Sequence, residues 1–594
     1  MDVKRRLGLL LAGTVLGTSI LVSAPAFADD AQLQQQIDAM QRQLQAMQAQ
    51  LAETKRQAKA AAQQAQQNQQ AQQQAQQAQQ VQQAQNVPAT VPPNLYAADV
   101  PVPTKGPPSW FDSIHVSLAG TYIAMEGAWR QRNENSSGAS DPAFSTIPLQ
   151  NSPLYGQNEL RFSAQQSRIA LKASGDIDPA QHVKGYFEMD FLGAAPTGNS
   201  RESDSYTPRM RQAYFAYDND IWGGHFSAGQ MWSLLTQNRV GILNSTENIP
   251  LTIDAQYVVG FNWARQPAIR FVEDWNKIAW FGVAVETSAT AFASNGNGVA
   301  GAPGFTPNTA LVTPPGINVN PMNNCNASGL LDPITNCSIN PAPDVIEKIA
   351  LDPGWGHYEA LGLQRWFADS INNGHPGAQW SQKTTFGWGV GGNVLLPVWP
   401  KFVDLQGSIL YGHGIGRYAS SQLTDVTIGP NGALQPITSL QFLVGAVAHP
   451  FAGNDIYAYY GQEQTQANAW TIGATQGGWG NGAFAESCGF QTASSLASTN
   501  GGTGTNFNGN STICTANVQR VHEITVGFWQ DIYKGDLGRA RVGLQYEYVW
   551  LDLFSGSATP SGTFASGTGN PAPNTGLHPN NNIVFFSLRY YPFN

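Results

Sequence analysis

The sequence predicts an all-β fold: a 16-stranded antiparallel transmembrane β-barrel, preceded by an N-terminal α-helical coiled-coil segment. Two observations carry this prediction. Segments of ten to sixteen residues alternate between apolar and polar side chains, with the period of two that separates the two faces of a strand. The connections between these segments alternate between short turns and long polar loops, which is typical of barrels in bacterial outer membranes.

Residues 1–28 have the pattern of a secretory signal peptide. Three basic residues at positions 4–6 precede an apolar run that extends to about Val22, and Ala26-Phe27-Ala28 forms an A-x-A-like cleavage site. A retained membrane anchor is the alternative, but the apolar run is short for a spanning helix. No stretch after residue 28 is long and apolar enough for such a helix. We therefore expect an exported chain that is either soluble or inserted in a membrane by another geometry.

Residues 29–85 are rich in Gln and Ala and contain no Gly or Pro. Apolar residues recur at alternating steps of four and three, at Leu33, Ile37, Met40, Leu44, Met47 and Leu51. This spacing predicts a periplasmic coiled coil. Beyond Thr54 the pattern decays, and a Gln-rich disordered tract is the alternative. The proline-rich residues 86–110 predict a linker that cannot pack as a helix.

Residues 111–594 contain the strand-like segments. In VKGYFEMDFLG, residues 183–193, the large apolar side chains share one face, and Lys184, Glu188 and Asp190 lie on the other. We predict sixteen such strands, starting near residues 114, 159, 182, 206, 223, 257, 276, 344, 355, 382, 401, 437, 454, 520, 538 and 581. Strands with one apolar and one charged face suit a soluble sandwich or a membrane barrel.

The connections favour the barrel. Short turns such as 175–181 and 353–354 alternate with long segments such as 287–343 and 465–519. Short turns at one end, long loops at the other and an even number of strands describe an outer-membrane barrel. In such a barrel the apolar faces contact outer-membrane lipid, and the charged faces line a water-filled lumen.

The composition and the motifs exclude several functions. The formal net charge is −9, which argues against a nucleic-acid partner. His522-Glu523 begins a zinc-protease pattern, but Val526 stands where the second histidine is required, and no P-loop lysine is present. We therefore expect no enzymatic activity and no cofactor. A hydrolase whose Ser/His pair is assembled only in space is the remaining enzymatic alternative.

The four cysteines fall in two long polar segments. Cys325 and Cys337 share one segment, and Cys488 and Cys514 share another. In an oxidising compartment this arrangement predicts two local disulfides, Cys325–Cys337 and Cys488–Cys514, each stabilising the fold by about 3 kcal/mol in the chain-entropy model. A metal site is the alternative, but neither C-x-x-C spacing nor a histidine cluster accompanies the cysteines.

Cations recur on the polar faces of the predicted strands. They are Arg168, Lys172, Lys184, Arg209, Arg211, Arg541 and Arg589. A cation on the lipid face costs about 2–4 kcal/mol at the bilayer midplane, so we predict that these residues, with Glu188 and Asp190, line the pore. The alternative is that the cations form ion pairs with Glu188, Asp190, Glu523 and Glu547 and merely line a hydrated barrel wall without selecting a solute.

Several short segments in the barrel region resemble the DcaP-like trimeric outer-membrane porins, which are related to the phosphate-selective porins. The segments are Gln165-Gln166-Ser167-Arg168, Gly185-Tyr186-Phe187-Glu188-Met189-Asp190-Phe191, Arg209-Met210-Arg211-Gln212-Ala213-Tyr214, Gly229-Gln230-Met231-Trp232, 352–359 (DPGWGHYE) and Gly414-Ile415-Gly416-Arg417-Tyr418. Their order across residues 110–594 carries the resemblance. It implies a homotrimer of sixteen-stranded channels that pass small, often anionic solutes such as dicarboxylates.

The sequence therefore predicts a porin for passive diffusion of small anionic solutes. The alternative is a periplasm-spanning tether or assembly protein whose barrel is plugged. We further expect the connection 232–256 to fold into the lumen, because its centre, Val240-Gly241-Ile242-Leu243, is more apolar than a water-washed loop requires. An external cap over the trimer is the alternative for that loop.

Overall fold

The structure is a computed structural model that describes residues 114–134, 142, 144, 147–148, 154–193, 206–254, 257–294, 298–299, 313–320, 338–480, 517–554 and 579–593. The predicted signal peptide, coiled coil and linker lie outside the described residues, as do all four cysteines. The coiled coil and the two disulfides therefore stay predictions.

The described residues form β-strands and one short 3-10 helix, Gly416–Tyr418. The first twelve strands are β1 (His115–Ser117), β2 (Ile123–Arg130), β3 (Glu159–Ser163), β4 (Ile169–Asp178), β5 (Gln181–Asp190), β6 (Arg209–Asn219), β7 (Gly224–Trp232), β8 (Arg265–Trp275), β9 (Ala279–Glu286), β10 (Ala293–Ser294), β11 (Gly298–Val299) and β12 (Asn318–Asn320). The others are β13 (Asp344–Leu351), β14 (His357–Asn372), β15 (Ser381–Trp399), β16 (Val403–His413), β17 (Val426–Ile428), β18 (Leu434–Pro436), β19 (Thr438–Ala448), β20 (Asn454–Thr465), β21 (Asn468–Ile472), β22 (Thr475–Trp479), β23 (Val518–Gly535), β24 (Gly538–Leu553) and β25 (Asn580–Tyr591).

Nineteen of these segments join in one antiparallel sheet. Strands that follow one another in the chain are neighbours from β4 to β9, and β9 then pairs with β13. The order continues through β14, β15, β16, β19, β20, β23, β24 and β25. The last strand, β25, pairs with β2, which also pairs with β3. Among the described residues, no helix is long and apolar enough to span a membrane.

The two faces of the sheet differ as the alternation predicts. On β5, Val183 and Phe187 are exposed, whereas Glu188 and Asp190 are buried. On β24, the apolar Leu544 and the aromatic Tyr546 are exposed between buried polar residues. Apolar side chains thus cover the outer face, and charged side chains are buried on the inner face.

The predicted strand starts lie within three residues of the observed starts, with one exception. The strand expected from about residue 257 begins at Arg265. Val258, Val259 and Phe261 supplied the apolar pattern for the early start, but they are buried in the connection that precedes β8. An apolar loop segment packed inside the protein has the same composition as a strand, so the pattern alone could not separate them.

Candidate functional site

The described part of the connection between β7 and β8, residues 233–254 and 257–264, lies against the inner faces of distant strands, and we call it the infolded loop. Several of its backbone amides donate to wall side chains, among them Asn238 to Glu359, Leu251 to Tyr459, Ile253 to Gln545, and Gly260 to Glu463. The nitrogen–oxygen distances are 2.7–3.2 Å. These acceptors belong to β14, β20 and β24, which lie far from β7 in the pairing order. The loop therefore folds inward, as predicted for 232–256.

Apolar burial and polar anchors hold this loop. Its Ile242 and Ile253 side chains are fully buried. Burying a side chain of this size contributes roughly 1.5–3 kcal/mol. The ammonium group of Lys348 on β13, also buried, donates to the carbonyl oxygen of Thr236 at 2.7 Å. The indole of Trp529 on β23 donates to the carbonyl oxygen of Leu251 at 2.7 Å. The loop is thus fixed at both its beginning and its middle.

Where β5 and β6 meet the infolded loop, arginines surround two carboxylates. Arg209 faces Asp190 in the strand register and donates to it through Nε at 3.0 Å and through Nη2 at 2.7 Å. Arg211 donates to Glu188 and, at 2.9 Å, to Asp190. Arg168 lies 3.7 Å from Glu188. The structure thus brings together three of the predicted cations with both predicted carboxylates.

A fourth arginine joins this group. Arg265, the first residue of β8, lies with its guanidinium carbon 5.0 Å from the ring centroid of Trp232 and 5.5 Å from that of Trp263. Its Nη1 is buried without a hydrogen-bond partner. Arg265 and the exposed Ile269 are four residues apart on β8, so side-chain alternation would place both on the same, outer face of the sheet. Sequence reasoning missed Arg265 because the end of the infolded loop, rather than the strand pattern, sets its direction.

We call these six residues the basic cluster: Arg168, Glu188, Asp190, Arg209, Arg211 and Arg265. Four guanidinium groups and two carboxylates leave it with a formal excess of two positive charges. The Arg209 side chain is 28% exposed, whereas that of Arg211 is 2% exposed. Arg209 is therefore accessible to a solute, and Arg211 is buried beneath it.

The other predicted cations lie elsewhere. Lys184 is 3.8 Å from Asp218 on β6, and Lys172 is half-buried on β4. Arg541 contacts Asp455 at 2.6 Å. Arg589 pairs with Glu126 and donates to the carbonyl oxygen of Ile253 in the infolded loop at 2.9 Å. Those last two arginines are almost fully buried. Arg541 joins strands of the wall, and Arg589 joins the wall to the infolded loop.

A second group of charges contains carboxylates alone, and we call Asp254, Glu523 and Glu547 the acidic cluster. One oxygen from each lies within 4.8 Å of the others, and all three residues are buried. Gln545 donates to Asp254 at 2.9 Å, and the backbone amide of Val259 donates to Glu523 at 2.9 Å. The ion pairs of the described residues include Glu188 and Asp190 but neither Glu523 nor Glu547. The expected pairing of cations with Glu523 and Glu547 is therefore not seen.

Comparisons with known proteins add evidence on the fold. No protein-family model matches the chain. No curated protein matches it either. Among solved structures, the outer membrane channel DcaP of Acinetobacter baumannii is similar with a TM-score of 0.50 and 15% sequence identity, over 80% of this chain and 97% of that chain. At this identity the likeness shows the fold: the chain has the fold of an outer-membrane channel.

Two further structures are more distant. An anion-selective porin from Comamonas acidovorans matches with a TM-score of 0.37 and 10% identity, over 80% of this chain and 99% of that chain. OmpF of Salmonella typhi, in complex with daunomycin, matches with a TM-score of 0.39 and 10% identity, over 80% of this chain and 98% of that chain.

Proposed function

We propose that the chain is an outer-membrane porin, a closed barrel of sixteen strands that assembles as a homotrimer and passes small hydrophilic, anionic solutes by passive diffusion. The pairing order supports closure, because the last strand pairs with β2. It also supports the number sixteen, because three of the nineteen segments are extensions of others. Tyr122, beside β2, bridges to Arg168, beside β4, so β1 and β2 count as one strand and β3 and β4 as another. β12 counts with β13, because both pair with β14. The homotrimer rests on the sequence resemblance.

The observation that carries the solute class is the positive excess of the basic cluster beside the infolded loop. A carboxylate solute can bind a guanidinium group through two hydrogen bonds. Arg209 is accessible and can bind an anion, whereas Arg265, with its buried Nη1, adds positive charge beside it. Weak successive sites let a solute move on rather than remain bound. The inner wall thus supports a preference for small anions such as dicarboxylates.

The test is solute competition in planar lipid bilayers. Succinate added to a KCl solution should reduce the single-channel chloride current in a saturable way, because it competes for the basic cluster. Putrescine, a four-carbon diamine, is the matched control and should leave the current unchanged. An equal effect of the diamine, or no effect of succinate, would contradict an anionic solute class.

One observation favours a second function, a tether or assembly protein with a plugged barrel. The infolded loop covers part of the inner wall closely: Arg589, which donates to the carbonyl oxygen of Ile253, is only 2% exposed. Deletion of residues 240–250 separates the two functions. In a porin the intact chain conducts and the deletion raises its conductance. In a plugged barrel the intact chain does not conduct, and only the deletion opens it.

A further inference from the structure

The acidic cluster concentrates buried negative charge at one point. Asp254 comes from the infolded loop, Glu523 from β23 and Glu547 from the adjacent β24. Their exposures are 1%, 1% and 0%. Removing a carboxylate from water costs several kcal/mol unless an opposite charge compensates it. Among the described residues, no cation contacts any of the three carboxylates, so the cluster requires another source of compensation.

The protein supplies fewer hydrogen-bond donors than these three carboxylates can accept from. Gln545 donates to one oxygen of Asp254 and, at 3.4 Å, to one oxygen of Glu547. The other oxygens, Asp254 Oδ2 and Glu547 Oε1, are buried without a partner. A buried oxygen left without a donor costs about 1–3 kcal/mol, and more when it is charged. These two atoms are therefore available as ligands.

A neutral side chain in the same place gives an independent indication of a ligand. The Thr252 side chain is 0% exposed, and its hydroxyl has no hydrogen-bond partner of ordinary geometry. It lies beside the Asp254 carboxylate. Hard cations such as calcium bind to hydroxyl and carboxylate oxygens, and here both kinds of oxygen lie together without a hydrogen-bond partner of ordinary geometry. Calcium binds six to eight oxygen ligands at about 2.3–2.6 Å, so its ligand atoms lie within about 5 Å of one another.

We propose that Asp254, Glu523 and Glu547, with the Thr252 hydroxyl, form a divalent-cation site of the calcium class. Three carboxylates supply three negative charges, and one Ca²⁺ neutralises two of them. Because Asp254 belongs to the infolded loop and the two glutamates belong to the wall, the cation ties the middle of the loop to β23 and β24. This site does not depend on the solute class proposed above.

Direct binding to the full-length chain tests the site. The chain is purified in detergent, stripped with EDTA and dialysed against radioactive Ca²⁺, and the bound ion is counted per chain. We expect one tightly bound Ca²⁺ per chain and a rise in the temperature of thermal unfolding. The substitutions Asp254→Asn and Glu547→Gln should each lower the affinity by about tenfold or more, because affinity follows the number of charged ligands.

The matched control is Glu463→Gln. Glu463 is also a buried carboxylate on this side of the wall, but it accepts from the backbone amides of Gly260 and Ser421 and from the Ser421 hydroxyl. This variant should keep the bound Ca²⁺. The difference in migration between unheated and heated samples in SDS gels, which folded barrels show, verifies that each variant is folded.

The competing explanation is that the three carboxylates share protons. In that case the wild-type chain binds no stoichiometric Ca²⁺, its unfolding temperature is the same in EDTA and in Ca²⁺, and Glu547→Gln changes neither. That result overturns the proposal. A bound Ca²⁺ that survives Asp254→Asn and Glu547→Gln but is lost in Glu463→Gln overturns it as well, because the ion then lies at another site.

Discussion

The basic cluster and the acidic cluster lie beside the same loop and are built in opposite ways. In the basic cluster each carboxylate has arginine partners, and Asp190 accepts from both Arg209 and Arg211. In the acidic cluster the carboxylates of Glu523 and Glu547 meet a third carboxylate, that of Asp254. One site is an ion-pair network with spare positive charge. The other is a group of three carboxylates that no cation of the described residues neutralises.

The difference shows what the infolded loop contributes. Without the loop, the strands and Arg168 beside β4 provide three arginines and two carboxylates in the basic cluster. The strands provide two carboxylates, Glu523 and Glu547, in the acidic cluster. The loop then adds Asp254 to the acidic site, and Arg265, which follows the loop directly, joins the basic site. It thus increases the charge imbalance at both sites. A strand wall with mixed charges becomes one with a positive and a negative region, and a diffusing ion would experience that field.

The largest expected effect comes from breaking the basic cluster at its buried centre. Arg211→Ala removes the partner that contacts both Glu188 and Asp190. Removing one member of a buried ion pair costs about 3–5 kcal/mol, because the remaining charges stay buried. The free energy of unfolding, measured by urea titration in lipid vesicles, should fall by about that amount.

Arg161→Ala is the control for this substitution. Arg161 also pairs with a carboxylate, that of Glu159 at 2.5 Å, but its side chain is 40% exposed. Exposed pairs contribute about 0–1 kcal/mol. Equal losses for the two variants would show that the buried network has no special role.

A smaller loss is expected at the acidic cluster. Gln545 accepts from the amide of Ile253 at 2.7 Å and donates to Asp254. Gln545→Leu leaves these buried groups without partners, and we expect a loss of about 1–3 kcal/mol in the same titration. Gln364→Leu is the control, because Gln364 is only half-buried and donates to Glu347 at 3.1 Å. A loss no larger than that of the control would mean that Gln545 does not support the cluster.

The hydroxyl of Tyr459 gives a finer test of the loop between the two clusters. It accepts from the amide of Leu251 at 3.2 Å, and the side chain is buried. Tyr459→Phe should cost about 0.5–1.5 kcal/mol, the net value of one hydrogen bond. Hydrogen exchange of the Leu251 amide should accelerate in the variant. An unchanged exchange rate would show that interactions other than the Tyr459 hydroxyl protect the Leu251 amide.

A pH-dependent effect concerns a charge site outside the infolded loop. His449, in the turn after β19, contacts Asp404 and Asp455, and these carboxylates raise its pKa to about 9 from the usual 6.5. The folded chain holds the proton more tightly than the unfolded chain, so the contribution to stability is full below pH 6.5 and is lost as pH rises through about 9. The unfolding temperature should therefore fall over that range, and His449→Gln should flatten the fall. An equally steep fall in the variant would contradict this assignment.

The sequence predicted the strands better than it predicted the site. Alternation placed Glu188 and Asp190 on the inner face because the side-chain period of a strand is independent of tertiary contacts. It could not place Arg265, whose direction depends on the loop that precedes it. It also could not bring Asp254 to Glu523 and Glu547, which are separated by more than 260 residues in the chain. Such meetings follow from strand order and loop path, and neither leaves a local pattern in the sequence.

The reversal potential in a KCl gradient tests the central claim most directly. The positive excess of the basic cluster predicts that the wild-type channel prefers chloride. It further predicts that Arg209→Gln combined with Arg265→Gln shifts the reversal potential toward potassium, whereas Arg161→Gln leaves it unchanged. A wild-type channel that prefers potassium, or a double variant with the wild-type potential, would contradict the claim that this cluster selects anions.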